Sequence, residues 1–148
     1  MSRRRNAGVT LLELMIALAA IGIVIAVALP MYRDYALRGH LASATEGLAD
    51  MRDRMEKHYQ NRRTYATDGA VVSPCAADAA QRTFGVFVVD CQTLTAETFV
   101  LRATGSGPAQ GFTLTLDQRD GRATTAVPAD SGWSTCATRW MLRKGDTC

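Results

Sequence analysis

Residues 9–31 read VTLLELMIALAAIGIVIAVALPM, an apolar run from Val9 to Met31 interrupted by one charged side chain, Glu13. A helix of about 20 such residues crosses the hydrocarbon core of a bilayer, so the run is a membrane-span candidate. Arg3, Arg4 and Arg5 stand just before it, and no basic cluster of similar density follows it. The positive-inside bias then puts residues 1–8 in the cytoplasm and everything past Pro30 outside. A secretory signal peptide would show a small-residue cleavage site after its apolar stretch. This stretch instead runs through Pro30 into MYRDYALRGHLASATEGL, which continues to look helical. A plain membrane anchor explains length and orientation but not Glu13, since a carboxylate within a membrane helix is costly without a partner, about 2.5–3.5 kcal/mol near the centre.

The same three arginines carry the whole formal charge of +3: without residues 1–8, 17 minus 3 leaves 14 basic residues against 14 acidic ones. A balanced remainder argues against broad, sequence-blind binding to nucleic acid, so any basic site must be local. At 148 residues, 47% hydrophobic and 21% charged, the chain has room for one folded domain beyond the span.

The stretch Ala7-Gly8-Val9-Thr10-Leu11-Leu12-Glu13-Leu14-Met15-Ile16, behind its short basic leader, resembles the processing motif of type IV prepilins. The resemblance implies a dedicated membrane peptidase and methyltransferase that cuts after Gly8 and methylates the new amino terminus on Val9. It makes Glu13 the glutamate through which a subunit joins its filament. Val9 is a departure, because the first mature residue of the family is more often phenylalanine or methionine. The implied parts are a cleaved leader at 1–8, a transmembrane and filament-core helix at 9–31, and an extracytoplasmic head at 32–148. A buried pair between Glu13 and the amine of a neighbouring subunit would set register more than stability, because desolvation offsets much of the Coulomb attraction.

Beyond the span, Leu37, Leu41, Ala44, Leu48, Met51, Met55 and Tyr59 recur every three or four residues, the stripe of an amphipathic helix. Arg33, Arg38, Glu46, Asp50, Asp53, Arg54 and Lys57 occupy the other face. One helix from Val9 to about Gln60 would extend roughly 75 Å. Gly22 and Pro30 interrupt it. They are either kink points, as in the helices the family resemblance implies, or residues that a membrane helix tolerates. Tyr32 and Tyr35 suit a membrane interface or packing in a filament.

Residues 62–78 have loop composition, and four strand-like runs follow at Phe84–Val89, Phe99–Ala103, Phe112–Leu116 and Arg122–Val127. Phe112, Leu114 and Leu116 alternate with Thr113 and Thr115, which predicts one buried and one wet face. Gly105 to Pro108 and Asp120-Gly121 supply turns. The expected architecture is α+β, a roughly four-stranded antiparallel sheet laid on the helical stripe, in agreement with the implied pilin head.

Cys75, Cys91, Cys136 and Cys148 lie in the part expected outside the cytoplasm, where disulfides persist. Four cysteines allow three pairings; Cys75 with Cys91 and Cys136 with Cys148 are preferred because each closes a short loop. A zinc site is disfavoured: no C-x-x-C pair occurs, and the two histidines, His40 and His58, fall on the predicted helix beside charged residues, as solvated side chains. The tail from Cys136 to Cys148 resembles the disulfide-bounded C-terminal segment of type IVa pilins, especially minor ones.

No nucleophilic constellation or phosphate-cradling glycine motif accompanies the histidines, so no catalysis and no cofactor are expected. The resemblance implies a structural subunit, most like the minor pilins, held in the bacterial inner membrane before assembly with its head in the periplasm. Assembly machinery then places it with other pilin subunits in an extracellular pilus of the kind used in adhesion, twitching motility or DNA uptake. A pseudopilin of a type II secretion system shares the N-terminal motif, and the cysteine-bounded tail favours the pilus. A DNA receptor is the alternative of a different class. Arg139, Arg143 and Lys144 crowd one loop beside Trp140, a set that suits phosphates with a stacking ring, or an ordinary solvated loop over a core tryptophan.

Overall fold

The computed structural model describes residues 10–148, so Arg3 to Arg5, Gly8 and Val9, and with them the expected cleavage and methylation sites, lie outside the described residues. Thr10 caps the first helix, α1 (Leu11–Arg62): its hydroxyl accepts the Glu13 amide at 3.2 Å and its carbonyl accepts the Leu14 amide. A threonine at the cap with a glutamate three residues on is the spacing of a capping box, and the Glu13 carboxylate suits the positive end of the helix. Helical structure continues through Gly22 and Pro30.

Two compact units divide at Ala36. In the first, the described residues form helix and leave large apolar side chains in the open, with Leu11 76%, Ile23 69% and Met31 69% exposed. Tyr32 and Tyr35 are exposed as well. The helix is long and apolar enough to cross a membrane.

The second unit, Leu37 to Cys148, holds all of the buried core found among the described residues. Leu41, Ala44, Leu48, Met51 and Met55 are fully buried, with Leu37 and Tyr59 partly so at the ends of the stripe. They pack on an antiparallel sheet of five strands: β1 (Thr83–Phe84), β2 (Phe87–Leu94), β3 (Phe99–Gly105), β4 (Thr113–Asp117) and β5 (Arg122–Ala126). The sheet is a simple meander, each strand beside its neighbours in sequence. Phe87, Val89, Phe99, Leu101, Leu114 and Leu116 supply its buried face, as period-2 alternation requires.

The sheet has one strand more than expected. Thr83–Phe84 and the run from Phe87 are separate arms, with Phe84 opposite Phe87. Gly85, at φ 59°, is the first of the two turn residues between them, where primed hairpin turns favour glycine. A second departure is Thr115, expected on a wet face but only 7% exposed. The C-terminal tail returns to this strand, and the Trp140 indole N–H donates to the Thr115 carbonyl at 2.8 Å. His58 also departs from expectation. It is 8% exposed, and its Nε2 lies 3.0 Å from the Ala66 carbonyl, because the chain after α1 folds back over it.

That returning segment has little regular structure and is fixed side chain by side chain. The Tyr65 ring stacks on Tyr59 and meets Phe99 edge-on, while its hydroxyl donates to Glu56 Oε1 at 2.9 Å. Ser73, fully buried, donates to the Tyr65 carbonyl at 2.8 Å. A disulfide from Cys75 to Cys91 ties the short 3-10 turn Pro74–Ala76 to β2. By the chain-entropy argument a crosslink of this loop length contributes about 3 kcal/mol.

Burial first, and then the bond to Glu56, push the Tyr65 hydroxyl from its ordinary 10.0 up to about 12. Between those values the unfolded chain has released a proton that the folded chain keeps, so stability falls as pH rises through that window. Tyr65→Phe keeps the ring contacts and loses the hydrogen bond. Urea unfolding at neutral pH is expected to show a loss of about 0.5–1.5 kcal/mol, and the fall in stability between pH 10.0 and about 12 to shrink.

Candidate assembly helix and nucleic-acid interface

The tail begins as a cover for the sheet edge. Beyond β5, Thr124 and Cys136 exchange both backbone hydrogen bonds, at 2.8 and 3.0 Å. The Thr124 hydroxyl, 1% exposed, accepts the Met141 amide at 2.8 Å and so pins the chain again five residues later. Trp133 inserts edge-on against Phe112, their centroids 5.1 Å apart, and Met141 is buried. A disulfide joins Cys136 to Cys148. Asp146 closes the last turn, its Oδ2 accepting the Leu142 and Arg143 amides at 3.2 and 2.9 Å. An exposed strand edge is a template for unwanted pairing, and this edge is occupied.

Arg139, Arg143 and Lys144 are all exposed on the loop so formed. Arg139 reaches the Thr147 carbonyl at 3.2 Å, and the Lys144 stem lies over Gly132. Trp140 is half-buried and occupied: its N–H is bound to Thr115, and the Arg122 guanidinium lies 4.8 Å from its ring centroid. The ring is therefore a packing element that carries a cation rather than an open stacking platform. Arg122 was not among the cations singled out in the sequence, being 18 positions from Trp140; only the return of the tail joins them.

Arg122 also belongs to an ion-pair bridge. Asp120 Oδ1 accepts Arg52 Nη1 from α1 at 2.9 Å, and Asp120 Oδ2 accepts Arg122 Nη2 at 2.8 Å. On the sheet, Arg102 makes a two-pronged contact with Asp90, at 3.0 and 2.6 Å, that raises its guanidinium above its ordinary range. A groove of about 510 Å³ lies between Arg54 and the Val72–Asp78 segment, but Arg54 is already bound to Asp50 and to the Gln81 carbonyl. Among the described residues no group of three or more His, Cys, Asp or Glu is placed to hold a metal ion.

A long capped helix, apolar and uncovered in its first half and amphipathic in its second, packed there on an antiparallel meander with a disulfide-bounded tail, defines a type IV pilin. The family model described as type IV minor pilin ComP, DNA uptake sequence receptor, matches residues 30–138, and that of the prokaryotic N-terminal methylation motif matches residues 3–29. Fimbrial protein EcpC of Eikenella corrodens is 31% identical over 117 residues, 78% of this chain and 76% of that one. Type IV major pilin protein PilE1 of Neisseria gonorrhoeae is 37% identical over 70 residues, 45% of this chain and 42% of that one. The crystal structure of the non-core minor pilin PilV of Neisseria meningitidis shares the fold, with a TM-score of 0.54 at 16% identity over 66% of this chain and 94% of that one. The chain belongs to the ComP family of type IV minor pilins, which are structural proteins rather than enzymes.

Thr124→Val keeps the shape of the side chain but leaves the Met141 amide without its acceptor. The expected loss is about 1–3 kcal/mol in denaturant unfolding, with faster amide exchange at Met141 than at the centre of β3.

Proposed function

We propose that the chain is made as a prepilin, cut after Gly8 and methylated on Val9, and waits in the inner membrane with residues 9–31 spanning and residues 32–148 in the periplasm. The assembly machinery then moves it into an extracellular filament with other pilin subunits. One observation carries this reading: apolar side chains cover the first half of α1 on every side, yet the head buries its core without them. Such a helix needs lipid, or its own kind, around it. In the filament Glu13 receives the amino terminus of a neighbouring subunit, and Gly22 and Pro30 are the points where the helix yields.

Intact and peptide mass spectrometry of protein from membranes and sheared fibres tests the processing steps, with a mature chain starting at Val9 as the expected product. An uncut chain in cells with an active prepilin peptidase would overturn the reading. Glu13→Ala is expected to leave the membrane pool intact and to reduce incorporation into fibres at least tenfold, measured by immunoblotting of both fractions.

A second reading has its own support in the family match and in the three exposed cations of the tail: the head receives DNA for uptake. Arg139, Arg143 and Lys144 contact phosphates, and the disulfide holds their loop open to solvent. Replacing all three by glutamine is expected to weaken binding of the soluble head to duplex DNA and to lower the slope of log K against log salt by about 1 per cation. Binding that is unchanged by the triple substitution would place the DNA elsewhere.

A further inference from the structure

The turn between β4 and β5 is built to present one carboxylate. Asp117 Oδ1 accepts the Arg119 and Gly121 amides at 2.8 and 2.7 Å, so its charge is held by the backbone of the turn. Gly121 makes this possible, since a Cβ there would stand 2.5 Å from Asp117 Oδ2. Asp120 takes the left-handed conformation, φ 65°, which aspartate tolerates better than most residues. The turn thereby aims Asp120 at Arg52 and Arg122, one carboxylate oxygen to each guanidinium.

Stability does not account for this arrangement. The side chains are 32–47% exposed, and exposed ion pairs contribute about 0–1 kcal/mol. A guanidinium has five N–H donors in a fixed fork, and Asp120 engages one nitrogen of each. The Arg122 guanidinium lies 4.8 Å from the Trp140 ring centroid, a contact that helps hold it in place, and Arg119 is exposed on the same turn. Two forks converging on one small oxyanion are the arrangement that also recognises a phosphate.

We propose that Asp120 is an internal stand-in for a DNA phosphate: it holds Arg52 and Arg122 in position in the free pilin and gives them up to the backbone of a bound duplex. This rests on the reading of the head as a DNA receptor, and adds to it a second contact region and a restraint. While Asp120 is present, a phosphate must displace a carboxylate, so weak encounters are discouraged and the two cations do not gather stray anions. The balance of 14 basic and 14 acidic residues beyond residue 8 is then compatible with a local cationic site whose charge Asp120 masks in the free protein.

The test uses the soluble head, residues 37–148, which retains every buried residue identified in the described chain. Wild type, Asp120→Asn, Arg122→Gln and the double variant are titrated against a short fluorescein-labelled DNA duplex across a salt series, with a melting curve for each protein. Asp120→Asn is expected to bind about three- to tenfold tighter at about 0.1 M salt and with a steeper salt dependence, and Arg122→Gln to bind more weakly. The double variant should bind no tighter than Arg122→Gln alone. A carboxylate that merely braces the fold would move affinity and melting temperature down together. Equal or weaker binding by Asp120→Asn, or a gain that persists in the double variant, overturns the proposal. If Asp120→Asn does not fold, normal binding by folded Arg122→Gln overturns it as well. Wild-type binding that depends on Arg139, Arg143 and Lys144 but ignores Asp120 and Arg122 would overturn this proposal alone, whereas no binding by wild type would overturn the receptor reading with it.

Discussion

Everything in the head is arranged around the contact between one stripe of α1 and one face of the sheet. Leu41, Ala44, Leu48, Met51 and Met55 lie on a single side of the helix, and the alternating residues of β2, β3 and β4 meet them with no solvent between. A leucine buried to this degree is worth about 1.5–3 kcal/mol, so the five helical positions and their partners are the main favourable contribution that the head sets against chain entropy. The sheet cannot slip in register without turning Phe99 and Leu101 to water, because adjacent residues in a strand face opposite ways. The helix therefore fixes the strands, and the strands fix the turns and the tail.

The same helix is given two incompatible environments along its length. Its second half is satisfied within the head, while its first half exposes leucine, isoleucine and valine in every direction. A chain with this division cannot be at rest as a dissolved monomer; it is stable in lipid or in a bundle of like helices. Membrane storage and filament assembly are two answers to one physical demand. Glu13 sits in the first turn of that helix, where the Thr10 hydroxyl caps its backbone amide and the positive end of the helix dipole makes a carboxylate locally tolerable.

Disulfides and specific polar bonds act where the apolar core does not reach. The segment after α1 has almost no regular hydrogen bonding, and Tyr65, Ser73 and the Cys75–Cys91 bridge take its place. The tail depends likewise on Thr124 and on the Cys136–Cys148 bridge. Much of the exposed surface of the head is thus carried by loops whose backbones are held at a few defined points. A loop held in this way can vary in its exposed side chains without disturbing the core.

The sequence by itself determined the parts that follow from periodicity and from hydrophobic length. The apolar run at 9–31, the stripe from Leu37 to Tyr59 and the alternation at Phe112–Leu116 each carry their meaning in spacing alone. The tertiary structure decided what joins residues distant in the chain. The fifth strand was hidden because Phe84-Gly85-Val86-Phe87 is apolar throughout and only the backbone angle at Gly85 divides it. His58 looked solvated among charged neighbours until the segment at Ala66 closed over it. Trp140 read equally as a stacking ring or as a core residue, and Thr115 at its N–H with Arg122 on its face decide for packing. Asp120 read only as a turn residue, and its place between Arg52 and Arg122 depends on a helix 68 positions earlier in the chain. Local pattern encodes which face is buried; which charge meets which is set by how the elements pack.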